Sequence, residues 1–197
     1  LRSGASTAQT SGQQSEDDNG NGSLMRILPA ALYFHSLPLT AFIGKIHEVT
    51  RITHAHPRSL IACGIYSVLV RELLIDAADK ESAYRSAMRQ SADYYRQSDI
   101  FRPQLGHFDR LLSGNVDALL NTDVLSSGYV VDTLEAALWS FMRYGSTIEI
   151  LRSTNQLGLE TDTTGMAAGG LAGVCYGLNS INPEWVQSLA RYDEIDD

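Results

Sequence analysis

Glu160, Thr161, Asp162, Thr163 and Thr164 stand in five consecutive positions, and every one of their side chains carries oxygen. Carboxylate, hydroxyl and carbonyl oxygens are what hard divalent cations such as Mg2+ and Mn2+ take as ligands. Asp162, Thr161 or Thr163 could equally serve as a plain helix N-cap. The residues that follow bear on the choice. Gly165, Gly169, Gly173 and Gly177 recur every four positions, which makes a slowly drifting stripe on one helical face. Glycine in a helix interior costs about 1 kcal/mol relative to alanine, so the stripe predicts close approach by another backbone. The expectation is a ligand-bearing helix start on a glycine-striped helix sunk in the core. Rigid support of that kind is what a metal site requires.

Composition narrows the classes of partner. With 44% hydrophobic residues in 197, the chain has enough apolar material for one globular domain. Its net charge of −8 offers no basic field for a nucleic-acid polymer or an anionic membrane. A small anion held by local donors is compatible with it. The apolar run Ser59 to Ile75 is broken by Arg71 and Glu72 and is too short and charged to span a bilayer. No secretory signal is visible, which predicts a cytoplasmic protein. Cys63 and Cys175 lie in apolar runs and read as buried thiols. The chain opens on Leu1 and a polar Gly/Ser/Gln-rich stretch, which reads as a loop in the middle of something longer.

The elements that would position these residues are helical. Leu24, Ile27, Leu28, Ala31 and Leu32 predict a helix over 23–36 that Pro29 kinks or divides. Thr40 is a candidate cap for a second, with Phe42, Ile43, Ile46 and Val49 inward. "THAHP" (53–57) ends it, because His56 precedes proline. Residues 58–76 predict a nearly all-apolar central helix and 79–97 a polar one. A short helix follows at 116–121, then "TLEAALWSFMRY", then 146–155, and a last helix with Pro183 in its first turn. "YVV" (129–131) is the sole strand candidate. The fold class is therefore compact and all-α, with 1–22 a polar loop of the same single domain as 23–197. Trp139 and Trp185 read as core or partly buried anchors, Glu135 as a first-turn acid, and the tail "YDEIDD" as a solvated end.

Four segments, in this order, resemble the ADP-ribosylglycohydrolase family: "NGNGSLMRILP" (19–29), "THAHP", "SGYVVDTLEAALW" (127–139) and "LGLETDTTGMAAGGLAGVCYG" (157–177). The resemblance covers essentially the whole chain. It implies a compact all-α fold that holds two Mg2+ ions, or Mn2+ in some members. It also implies cleavage of ADP-ribose from an acceptor side chain or a related O-linked conjugate. Family metal ligands come from an N-terminal Thr/Ser-Asp-Asp segment and a C-terminal Asp-Thr-Asp-Thr segment after two glycines. The second set falls on Glu160, Thr161, Asp162 and Thr163, so the implied metal ligands are Glu160, Asp162 and Thr163. The loop implies substrate contacts at Asn21, Gly22, Ser23 and Met25, with His54 near the diphosphate or adenosine. His54 and His56 serve separately rather than as a metal pair, and Arg26 reads either as a charge for the ligand or as a packing arginine.

Three departures accompany the match. The N-terminal third of the family pattern, with its Asp pair and the acid near the scissile bond, is missing, so the catalytic base is expected in a separate N-terminal segment. Glu160 stands for an aspartate, and its extra methylene displaces oxygens that Mg2+ tolerates poorly. Leu159 stands for the second glycine. Two functions follow: magnesium-dependent hydrolysis of ADP-ribose from a modified protein, or a catalytically inactive or truncated relative with a binding or structural role.

Overall fold

The computed structural model describes residues 11–75 and 79–191; the first ten residues of the polar loop and the acidic tail from 192 lie outside them. Among the described residues ten α-helices run in the order α1 (Gly22–Met25), α2 (Leu28–Phe34), α3 (Leu39–Arg51), α4 (Pro57–Ile75), α5 (Lys80–Arg96), α6 (Asp109–Leu112), α7 (Val130–Arg143), α8 (Thr147–Leu157), α9 (Thr161–Tyr176) and α10 (Pro183–Gln187). Short 3-10 turns fill the stretch between α5 and α7. Among the described residues, β pairing is confined to two isolated bridges, Gln13 to His54 and Gly20 to Tyr129. The fold is all-α.

α4 is the central rod. It is buried without a break from Ser59 to Val70 and packs against α3, α5, α2 and α7. Its sequence shows no polar side, as expected for a helix covered all round. α7 is the second buried element, with Leu134, Ala137, Leu138 and Phe141 inaccessible. α9 lies on α8 and α7 and buries Thr163, Thr164, Ala167, Ala168, Leu171 and Ala172. It is thus a flanking helix and not the sunken rod that its glycines predicted. Those glycines meet side chains rather than backbone. A Cβ on Gly165 would come 3.4 Å from Thr154 Oγ1 and one on Gly169 3.1 Å from Leu151 Cδ2, while at Gly173 there is nothing within 4 Å. Gly177 serves differently, closing α9 at φ 74°.

Several local expectations change. Pro29 divides the first predicted helix into α1 and α2, as its missing N–H and ring favour a helix start. Thr40 is no cap: α3 begins at Leu39 behind an extended Pro38, so Thr40 is already inside the first turn. The predicted 116–121 helix is two 3-10 turns, Val116–Ala118 and Asn121–Asp123, separated by an extended Leu119. "YVV" is not a strand; Tyr129 is extended, and α7 starts at Val130. Glu135 lies beyond the first turn of α7, where it is buried and paired to Arg110 at 3.1 Å. Cys63 is buried and Cys175 half-buried, both as free thiols. Trp139 is core and Trp185 is 40% exposed.

His47 on α3 yields a test of the core. It is 6% exposed, lies 3.0 Å from the Tyr95 hydroxyl, and sits among the Tyr94, Tyr95 and Phe101 rings. Burial, with a contribution from the Arg51 charge, pushes its pKa from the ordinary 6.5 down to about 3. The unfolded chain therefore takes up this proton near pH 6.5 and the folded chain only near pH 3. Below pH 6.5 the unfolded state binds more protons, so the His47 share of stability falls by about 1.4 kcal/mol per pH unit. Urea unfolding between pH 7 and pH 5 is expected to show that slope and His47→Gln to flatten it. Equal slopes in the two proteins would refute the assignment.

Candidate functional site

Three remote segments converge at the start of α9. The first is the loop at 19–22, which α1 continues. Its backbone is tied to the entry of α7: Asn21 N–H donates to the Gly128 carbonyl at 3.0 Å, and Val130 N–H donates to the Asn19 carbonyl at 2.9 Å. The Asn21 amide donates to Thr133 Oγ1 at 3.1 Å. The second segment is "THAHP". Its His54 ring lies against the loop glycines; a Cβ on Gly22 would come within 3.0 Å of His54 Cε1, and one on Gly20 within 3.6 Å of Nε2. Glycine is what lets the ring and the loop come this close. The third is the turn 158–163, anchored by Glu160 N–H donating to the Ser126 carbonyl at 3.2 Å and by the Ser126–Thr164 hydroxyl contact at 2.9 Å.

The structure brings most of the anticipated residues together. Thr163 is buried, and its hydroxyl donates to Met25 Sδ at 3.4 Å, which joins the oxygen-rich turn to the loop. Asp162 is exposed, and one carboxylate oxygen accepts the Thr163 N–H at 2.8 Å. Glu160 precedes the helix and reaches back toward Gly128, where a Cβ would lie 3.9 Å from its Oε1. Of the loop residues, Met25 meets the turn, while Asn21 bonds Thr133 and Gly22 lies against His54. Ser23 points the other way: it is inaccessible and accepts from the Cys63 thiol at 3.4 Å.

The electrostatics are modest. His54 has its pKa pushed below the ordinary value by burial and by the Arg26 charge, with Asp18 opposing. Its Nδ1 is bonded to the Thr53 hydroxyl at 2.8 Å. His56 is buried, and its Nδ1 accepts the Arg58 N–H at 3.2 Å at the start of α4, so the two histidines do serve separately. Arg26 is a packing arginine: its guanidinium donates to the Val49 and Thr50 carbonyls and to the Thr53 hydroxyl, closing the C-terminal end of α3. A cleft of about 290 Å³ opens beside the loop, walled by Glu16, Asp17, Asn19, Gly20, Gly128 and Tyr129. Of the strap Ser126–Tyr129, residues 127–129 open the SGYVVDTLEAALW segment and Ser126 lies outside it, and the strap's hydrogen bonds to the loop and to Glu160 have no signature in spacing.

All the donors at the turn are oxygens, which suits a hard cation. The three anticipated ligands among them, Glu160, Asp162 and Thr163, amount to two carboxylates and one hydroxyl. Among the described residues no three His, Cys, Asp or Glu side chains gather at one point. Among the described residues, then, the turn offers donors of the right chemistry without completing a metal shell.

The turn is strained. Leu159 is held at φ 56° with its side chain 81% exposed. A non-glycine residue in this left-handed region costs about 1 kcal/mol, and an exposed leucine recovers little by packing. Leu159→Gly is expected to raise the urea midpoint by an amount equivalent to about 1 kcal/mol. A lowered midpoint would show that the leucine contributes something the exposed turn does not reveal.

The sequence pattern of the ADP-ribosylglycohydrolase family matches residues 1–197. An ADP-ribosyl-(dinitrogen reductase) glycohydrolase of Rhodospirillum rubrum is 32% identical over 183 residues, covering 91% of this chain and 54% of that protein. The ADP-ribosylarginine hydrolase Tri1 of Pseudomonas putida (strain GB-1) is 30% identical over 176 residues, covering 89% and 43%. A solved ADP-ribosylglycohydrolase-related protein complex superposes with a TM-score of 0.75 at 28% identity, covering 93% of this chain and 59% of its own. The chain spans about half the length of the curated relatives it matches. Among the described residues no helix is long and apolar enough to cross a membrane.

Proposed function

The chain belongs to the ADP-ribosylglycohydrolase family, and on that premise we propose that it supplies the ADP-ribose loop and the C-terminal metal ligands of a magnesium-dependent hydrolase. The substrate is an ADP-ribosylated protein side chain. The relatives named for ADP-ribosylarginine and for dinitrogen reductase support that class, and the setting is cytoplasmic. The observation that carries the reading is the convergence itself: Thr163 touches Met25, and His54 lies against Gly22, although these residues are remote in sequence.

In this reading Glu160, Asp162 and Thr163 hold Mg2+ together with ligands from a further N-terminal segment, Mn2+ being the alternative ion. Such an ion supplies Lewis acidity and a template for ribose hydroxyls and water. The chain's own residues do the rest. Gly20 and Gly22 keep the loop open beside His54, whose uncharged ring offers a hydrogen bond without adding positive charge. Asn21 fixes the loop to α7 through Thr133. The carboxylate that takes the proton from water is assigned to the N-terminal segment.

Calorimetric titration of Mg2+ and of ADP-ribose into this chain, and into the full-length protein, is the direct test. Saturable binding of both is expected. Its absence in both formats overturns the proposal. The strained Leu159 and the longer Glu160 favour a second reading, a relative that binds ADP-ribose without turning it over; saturable binding with no released ADP-ribose would select it.

A further inference from the structure

An acidic run, Glu16-Asp17-Asp18, stands directly before the loop proposed above to meet a diphosphate. Like charges at such a place oppose binding of an anion. Arg58 answers that difficulty. It is the second residue of the central helix α4, and its side chain is 13% exposed. Its Nη2 donates to both Glu16 oxygens, at 3.2 and 3.1 Å, while its Nε donates to Gln104 Oε1 at 2.7 Å. The fork of donors is what allows a guanidinium to hold two partners at once. The bond series continues from there. The Glu16 carbonyl accepts from the Asn19 amide at 2.7 Å, and the Asn19 carbonyl accepts the Val130 N–H at 2.9 Å. The Glu16 side chain also walls the 290 Å³ cleft beside Gly20 and Tyr129.

We propose that Arg58 is a positioning residue for anion binding. It anchors Glu16 to α4 and Gln104 and neutralises that one carboxylate of the acidic run, which lessens the repulsion a diphosphate meets beside the loop at 19–22. The inference rests on the ADP-ribose reading and extends it to a residue outside the converging segments.

The test is calorimetric titration of ADP-ribose into full-length wild type, Arg58→Gln, Glu16→Gln and the double variant, with hydrogen exchange of the Asn21 and Val130 amides in the free proteins. Arg58→Gln is expected to weaken ADP-ribose binding about tenfold and to speed exchange of both amides. Adding Glu16→Gln is expected to restore most of the affinity, because the uncompensated charge is gone. A purely structural role for Arg58 would not be rescued in this way, so a double variant as weak as Arg58→Gln overturns the inference. So does wild-type affinity in Arg58→Gln. Both results leave the ADP-ribose reading standing, whereas a wild type that does not bind at all removes that reading and this inference with it.

Discussion

Asp162→Ala is expected to lower Mg2+-supported release of ADP-ribose by the full-length protein by on the order of 100-fold or more, with ADP-ribose affinity changed far less. Asp162 stands on the exposed side of the first turn of α9, and the Thr163 N–H holds one of its carboxylate oxygens at 2.8 Å. That bond ties the carboxylate to the backbone of Thr163, the residue whose hydroxyl donates to Met25 Sδ in the loop segment. The competing account is simple: a first-turn acid stabilises the helix dipole by about 0.3–1 kcal/mol and does nothing else. The two accounts separate cleanly. If Asp162 is a metal ligand, its loss raises the Mg2+ concentration needed for activity and for calorimetric saturation. If it is only a helix acid, stability drops slightly and the Mg2+ dependence stays put. An unchanged Mg2+ titration in the variant would remove Asp162 from the site.

The largest effect on stability is expected at Gly64. A Cβ there would lie 1.7 Å from the Tyr95 hydroxyl oxygen and 3.0 Å from Cζ. Tyr95 has nowhere to go: it is fully buried, bonded to His47 at 3.0 Å, and packed on the His47, Tyr94 and Phe101 rings. Alanine ordinarily gains about 1 kcal/mol over glycine in a helix interior. Here the overlap forces Tyr95 aside and leaves His47 buried without its partner, so Gly64→Ala is expected to cost about 3 kcal/mol. Gly44 on α3 is the control, since a Cβ there meets nothing within 4 Å; Gly44→Ala should be neutral or stabilising. Tyr95→Phe in the Gly64→Ala background removes the closest atom, and the pair should show favourable coupling in a double-mutant cycle. Urea unfolding of the wild type, the three single variants and the double variant reads all of this. A Gly64→Ala variant as stable as wild type would mean that the helix spacing differs from the one described.

Much of the helical frame was legible in residue order alone. α4 declared itself by an apolar run longer than one helical face, and α7 by Leu134, Ala137, Leu138 and Phe141 on one side. Pro183 marked a helix start because proline lacks the N–H that a first turn leaves unused, and Pro29 marked the break between α1 and α2. The oxygen-rich turn and the loop glycines were visible as residue types with a preferred chemistry. Their family resemblance implied that they belong to one site.

Which side chains actually meet was decided by tertiary structure. Spacing within α9 could show a glycine stripe but not what lies against it, and the neighbours proved to be Leu151 and Thr154 side chains rather than a backbone. Arg26 looked available to a ligand until α3 put three oxygens around it. Ser23 looked like a loop residue until one helical turn rotated it inward. Periodicity is a property of a single helix, so it is written in local sequence. The approach of Thr163 to Met25, or of Arg58 to Glu16, depends on how several helices pack. No segment carries that information by itself.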